Sequence, residues 1–245
     1  MDDRLSRLAG MSNMESQKAP KIDAPILQFN GNTGMFSVVT DGDKKEIGNE
    51  IKITILRKRK SLGSFSALQS YFTNEYDGPN DTINLYKKVD GTVLHEMSGL
   101  PAAIREKYQA LRTREVIYCL YNGKLHRLDI KGGSLVGFYT YLESLTSRGL
   151  HSFQLITTIG SEGTKNDAGM AYKKMTFSDN SKPEADLDVV EANMLALNDY
   201  VARSKAYFAS ADKAPQKVGP SSQDLDTFVG QMKSDEAINP DDIPF

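Results

Sequence analysis

The stretch TREVIYCLYNGKLHRLDI, residues 113–130, decides the fold. Two runs rich in β-branched and aromatic residues meet at Asn122-Gly123. That pair accepts positive φ at both central positions of a two-residue turn, and it is the strongest short hairpin signal a sequence carries. Strict alternation along the first run puts Arg114, Val116 and Tyr118 on one face, while Tyr121 lies opposite unless a bulge intervenes. Cys119, inside the apolar run 116–121, reads as a core residue.

Working outward, the same pattern recurs on both sides. Upstream, Gly31, Asn32 and Gly34 mark a turn, after which MFSVVT (35–40) and EIGNEIKITILRKRK (46–60) read as two strands joined by Asp41-Gly42-Asp43. In the second, Ile47, Ile51, Ile53 and Ile55 alternate with polar Lys52 and Thr54, which predicts one core face and one polar face. TINLYKKV (82–89) is a further strand. Downstream, Ser134 reads as the N-cap of a helix over 135–147 that Gly149 closes. SFQLITTI (152–159) and MAYKKMTF (170–177) resume the strand pattern across a Gly/Ser-rich loop at 160–169. A second helix is predicted over 184–208, with Leu187, Val190, Met194, Leu197 and Val201 at three- and four-residue spacings.

Composition narrows the function. The 245 residues allow one large domain or two small ones, and the net charge of −2 gives no sign of a nucleic-acid binder by itself. Charge is unevenly placed, however: residues 22–182 carry 21 basic and 17 acidic side chains, and residues 209–245 carry three and seven. A mildly basic body therefore precedes an acidic end. One cysteine excludes an intrachain disulfide framework and a multi-cysteine zinc site, which suits a cytoplasmic chain. The first residues lack an apolar stretch long enough for a signal peptide, and no segment approaches the roughly 18 apolar residues of a membrane span.

Enzymatic constellations do not assemble in the sequence. GSEGTK (160–165) lacks the spacing of a phosphate-binding loop, and no G-x-G-x-x-G is present. His95, His126 and His151 are isolated, none with a second histidine or cysteine at ligand spacing. His126 reads as structural or as a phosphate contact. Asp77, Asp81 and Asp129 are scattered rather than clustered. The expectation is a chain with no catalytic residues, no metal and no cofactor.

Basic and aromatic residues form a more coherent set. Arg57, Lys58, Arg59 and Lys60 are consecutive and repel one another unless water or an anion screens them. The pairing of cation and ring recurs at Tyr86 and Lys87, at Arg112, Arg114, Tyr118 and Tyr121, with Lys124 and Arg127 as further cations on the hairpin partner of that strand, and at Tyr172, Lys173 and Lys174. With Lys52, these are the candidate nucleic-acid contacts. Cations neutralise phosphates and rings stack on bases without reading sequence.

The chain ends in NPDDIPF (239–245), after a segment rich in Pro, Gly, Ser, Gln and Asp that lacks the apolar surface to offset its ordering entropy. That linker, at about 30 residues, has a root-mean-square reach of roughly 30 Å, and Leu225, Phe228, Val229 and Met232 form a short apolar stripe within it. At the tip, Phe245 joins a ring to a free carboxylate, Pro244 holds Ile243 extended, and Asp241 and Asp242 attract a basic surface. This tip resembles the acidic C-terminus of bacterial single-stranded DNA-binding proteins, and the longer body is more like their diverged bacteriophage counterparts. The resemblance implies an OB-fold-like domain, mainly β with added helices: a partly open antiparallel barrel between flexible termini. It divides the chain into a flexible arm at 1–25, a single-stranded DNA-binding domain at 26–208, a disordered acidic linker at 209–238 and a partner-docking tip at 239–245. The implied partners are single-stranded DNA and, through the tip, replication, recombination or repair proteins; a homo-oligomer is compatible with this. The alternative expectation is an accessory protein that docks through the tip and binds DNA weakly or not at all.

Overall fold

A computed structural model describes residues 20–65, 69–166 and 168–210. In chain order the elements are β1 (Ile26–Phe29), β2 (Phe36–Thr40), β3 (Asp43–Gly48), β4 (Ile51–Phe65), β5 (Ser70–Thr73), β6 (Ile83–Val89), β7 (Thr92–Gly99) and α1 (Pro101–Lys107). There follow β8 (Arg112–Tyr121), β9 (Lys124–Ile130), α2 (Ser134–Ser147), a 3₁₀ turn (Ser152–Gln154), β10 (Leu155–Lys165), β11 (Ala171–Pro183) and α3 (Leu187–Ser210). The chain is mainly β. The hairpin at 113–130 forms with Asn122 at φ +50° and Gly123 at φ +72°, and it pairs Tyr121 with Lys124 through to Glu115 with Ile130.

The strands lie in the order β3-β2-β1-β9-β8-β4-β5-β6-β7, and the β10–β11 hairpin is attached to the first part of β4. β1 runs parallel to β9, so the sheet is mixed where an antiparallel one was expected. The sheet curls until the β10–β11 hairpin meets the turn at 30–34. There the Lys173 N–H donates to the Gly31 carbonyl at 2.6 Å. Gly34, at φ +77°, admits this approach, because a Cβ there would stand 2.6 Å from Ser161 Oγ. Among the described residues no strand ladder joins β11 to β2 or β3, and the barrel is not closed.

A bulge in β4 sets which side chains face which way. Ile53 and Ile55 continue the core face, Leu56 falls in a register slip against β8, and Arg57 resumes the ladder opposite Tyr118. One extra residue reverses every side chain beyond it. Hence Lys58 and Lys60 point to the side occupied by the isoleucines, and Arg57 and Arg59 point to the other.

The main core lies on the first side, where Leu27, Phe36, Ile53, Ile117, Leu128 and Leu155 pack with Phe138 and Leu145 of α2. A second cluster on that side joins Leu62, Ile83 and Leu85 to Ile104 of α1. On the opposite face α3 lays Val190 and Leu197 against Leu56, Val116 and Tyr118. Its expected core residue Leu187 is instead 57% exposed. Residues 20–25, within the expected N-terminal arm, lie against this α3 face: Ile22 and Ala24 pack on the cluster, and the Pro25 carbonyl accepts the Arg127 N–H at 2.9 Å.

Other expectations are corrected locally. The single strand over 46–60 is two, broken after Gly48 at φ +116°. The loop at 160–169 shrinks because β10 runs on to Lys165. Ser134 is inside α2 with Gly133 as the N-cap, and its hydroxyl accepts the Met175 N–H at 2.9 Å, tying helix to hairpin. β1, β5, β7 and α1 were not anticipated. For β7 the signal was present in Asp90-Gly91, both at positive φ, the same turn chemistry as Asn122-Gly123. The linker and tip from residue 211 onward, and residues 1–19, fall outside the described residues.

Candidate functional site

Cations and rings come together on the face shared by α1 and α2. Across the β4–β8 ladder, Lys58 is opposite Ile117 and Lys60 opposite Glu115, and an isolated bridge brings Tyr76 beside Lys60. Further along, Ser64 pairs with Tyr71, and Tyr71 with Lys87. Helix α2 closes one end of this strip with Tyr139, and the other end is closed by α1 with Tyr108 just past its last turn. Lys58 Nζ stands 5.9 Å from the Tyr139 ring centroid, Lys87 Nζ 5.7 Å from that of Tyr71, and Lys107 Nζ 5.6 Å from that of Tyr108. The Tyr71 and Tyr108 rings lie 5.4 Å apart. Six residues of β4 separate Lys58 from the position opposite Tyr71, about 20 Å at strand rise. Each pair joins an ammonium to an aromatic face, a contact worth roughly 0.5–1 kcal/mol when exposed.

Two acids touch this strip: Glu96 accepts the Tyr108 hydroxyl at 3.3 Å at the α1 end, and Glu115 lies between the lysines of β4 and Tyr139. Glu115 is fully buried; its Oε1 accepts the Tyr139 hydroxyl in a short hydrogen bond and lies 4.0 Å from Lys60 Nζ. Its Oε2 has no hydrogen-bond partner. Burial, the hydrogen bond to Glu115 and the charge of Glu115 together hold the Tyr139 phenol well above its ordinary pKa. Burial also raises Tyr76, where the Arg105 charge opposes the shift and Glu115 adds to it.

Of the sixteen contacts expected from sequence, Lys58, Lys60 and Lys87 lie in this strip. Arg57, Arg59, Tyr86, Tyr118 and Arg127 lie on the opposite face, beneath or beside α3, and are bound to acids or packed in the core. Arg59, 2% exposed, donates from Nε to Asp77 at 3.1 Å, from Nη1 to Glu75 at 3.1 Å and from Nη2 to the Glu75 carbonyl at 2.9 Å. Arg127 pairs with Asp129 at 2.9 Å and with Glu75 at 3.6 Å. Arg57 donates to Asn198 of α3 at 2.6 Å and to Asp77 at 3.3 Å. The Tyr118 hydroxyl donates to Glu75 at 3.0 Å, and its ring is 1% exposed. Tyr86, 5% exposed, stacks on Phe72 at 5.5 Å, and burial pushes its phenol up to about 12. A cavity of about 180 Å³ lies under α3, lined in part by Arg59, Ser61, Glu75, Tyr118, Arg127 and Tyr200.

Lys205 of α3 reaches down to Asp77 at 2.8 Å and Asp81 at 3.5 Å. Desolvation raises the Asp77 carboxyl, but the Lys205 hydrogen bond and the Arg59 and Arg57 charges outweigh it, so its pKa lies below the ordinary value. The same pairing lifts Lys205 above its ordinary value. This network is a structural clamp between helix and sheet, whose charges are already satisfied.

The remaining expected contacts are dispersed. Register puts Arg112 and Arg114 on the α3 face, where Arg112 donates to the Gln109 carbonyl at 2.6 Å and Arg114 is 6% exposed. Lys52 and Lys124 are exposed at strand starts, and Tyr121 packs edge-on against His126. On β11, the Tyr172 hydroxyl sits close over Gly133, the Lys173 backbone tethers the hairpin to Gly31, and Lys174 pairs with Glu162 at 3.0 Å. His126 is structural, with Nδ1 2.9 Å from the Lys124 carbonyl. His95 has Nε2 3.0 Å from Ser98 Oγ, but the serine hydroxyl donates to Asn84 at 2.6 Å, so the histidine faces it as a donor rather than as a base.

Sequence reasoning missed Tyr139, Tyr71, Tyr108, Lys107 and Glu115 as members of the strip. Only Lys107-Tyr108 are adjacent in sequence; the others meet through pairing and helix docking. Comparison with known protein families, curated proteins and solved structures finds no match.

Proposed function

We propose that this chain binds single-stranded DNA without reading its sequence, along the strip between α1 and α2, and recruits replication, recombination or repair proteins through its C-terminal tip. The observation that carries the reading is the three lysine-over-tyrosine pairs on one face of the sheet. Exposed ammonium groups release counterions when they take phosphates, and the rings beside them offer stacking surfaces for any base. The strip is flanked by helices rather than covered by one, whereas the opposite face is occupied by α3.

An OB-type barrel belongs to the same proposal. A curled sheet that touches its own first turn through one backbone hydrogen bond, with a helix filling the gap, supports it. Asp241, Asp242, Ile243, Pro244 and Phe245 supply the docking peptide: a ring for a pocket with an apolar floor, and two acids for longer-range attraction to its cationic rim. Neither role needs turnover, a metal or a cofactor.

The test is a titration of fluorescent oligo-dT with the full-length protein at two salt concentrations. Binding that weakens steeply with salt is the expected result. A Phe245→Ala protein should bind DNA equally well but lose capture of a replication protein. The satisfied charges of Arg57, Arg59 and Arg127 favour a second reading, an accessory protein that docks through its tip and has little DNA affinity; absence of oligo-dT binding at low salt would select it.

A further inference from the structure

On the basis of the strand-binding reading, and departing from its lack of base preference at one position, we infer that Glu115, at the centre of the strip, accepts a hydrogen bond from the exocyclic amino group of a bound base and so biases the site towards cytosine over thymine. Its carboxylate is fully buried, yet one oxygen is left without a donor. An acceptor desolvated in this way carries a free-energy cost until a donor is supplied. Two groups reach its other oxygen: the Tyr139 hydroxyl donates to Oε1, and Lys60 Nζ approaches the same atom at the loose distance of 4.0 Å.

Strand binding itself opens the way. Lys60 has a 43% exposed side chain, and a phosphate competes with Glu115 for its ammonium. When Lys60 swings to the phosphate, Glu115 loses its nearest counter-charge and becomes accessible from the side where the strand lies. A base stacked on Tyr139, beside Lys58, then brings its edge over β8. Cytosine presents N4–H₂, a donor suited to a carboxylate. Thymine has only N3–H, placed between two carbonyl oxygens that repel the same anion. Glu115 thereby gives a stacking site a preference that rings and lysines alone lack.

The experiment measures full-length protein against fluorescent oligo-dC, oligo-dT and oligo-dC carrying N4,N4-dimethylcytosine, all of one length. The expected result is oligo-dC bound about tenfold more tightly than oligo-dT, as one hydrogen bond to a charged acceptor gives, with the dimethylated strand falling to the oligo-dT level. Glu115→Gln should shrink the dC:dT ratio, and Tyr139→Phe, which keeps the carboxylate, should retain it. Equal affinity for oligo-dC and oligo-dT in the wild type, or a ratio unchanged in Glu115→Gln, overturns the assignment while leaving strand binding intact. No binding to any of the three strands removes both. The wild-type comparison decides even where the Glu115 variant fails to fold.

Discussion

Neighbouring residues of β4 should give opposite phenotypes. Lys58 and Lys60 face the strip, Arg57 and Arg59 face the clamp under α3, and the four are consecutive. For a single strand, each phosphate neutralised contributes about 0.7 to the slope of log affinity against log salt. The double variant Lys58→Ala/Lys60→Ala should therefore flatten that slope by about 1.4, which between about 50 and about 200 mM salt removes roughly sevenfold of the salt sensitivity. Lys58 is exposed, so Lys58→Ala alone should change stability by less than about 1 kcal/mol, whereas Lys60→Ala also takes the nearest cation from buried Glu115 and should cost more, which the denaturation curve reports separately from the salt slope. Arg59→Ala is the mirror image. It strips three hydrogen bonds from a 1% exposed side chain and leaves Glu75, 11% exposed, short of its cation. Such a loss costs about 3–5 kcal/mol, with DNA affinity unchanged in the protein that remains folded. The assay is fluorescence anisotropy of oligo-dT at the two salts, beside urea denaturation of each variant. If Arg57→Ala or Arg59→Ala protein of normal stability loses affinity and the lysine pair does not, the bulge has been assigned to the wrong side and the strip is not the site.

Other outcomes are equally open to measurement. Tyr139→Ala should cost about 1–3 kcal/mol of oligo-dT binding if its ring stacks on a base, with Tyr139→Phe binding normally; equal losses in both would point to the hydroxyl instead. The Asp77–Lys205 link should strengthen the α3 clamp across the neutral range. Asp77 is depressed below 3.8, so its contribution is present above that value and lost as pH falls through the lower folded pKa; Lys205 is raised above 10.5, so its share is present below that value and lost as pH rises through the higher one. Lys205→Met should accordingly lower the denaturation midpoint at neutral pH and make no difference in strong acid; an equal effect at both pH values would mean packing, not charge. Gly123→Val, placing a β-branched residue at φ +72°, should destabilise by about 1–3 kcal/mol without changing DNA affinity.

Local chemistry was legible in the residues themselves. The Asn122-Gly123 and Asp41-Gly42 turns, the alternation of Ile51, Ile53 and Ile55, and the apolar stripe of Val190, Leu197 and Val201 each express a short-range rule, a positive φ or a period of two or 3.6 residues, and each appears where that rule puts it. The candidate contacts behaved otherwise. Cation and ring content was visible, but which face Arg57, Lys58, Arg59 and Lys60 occupied depended on one unpaired residue, Leu56. No composition or period announces such a slip, because its cause is the fit of β4 to β8 along the whole ladder. Asp129 stands two residues from Arg127, but the acid shared by Arg59 and Arg127 is distant in sequence; Glu75 reaches both only because β4, β8 and β9 lie side by side under α3. Tyr139 enters the strip because Phe138 and Leu145 dock α2 on the core, turning a neighbouring helix position towards Glu115. Turns and periodicities are properties of a few adjacent residues, so the sequence determined the elements that such rules mark, while short or irregular ones such as β1, β5 and α1 escaped it. Whether a charge is free to meet a ligand depends on everything packed around it, and only the tertiary structure decided that.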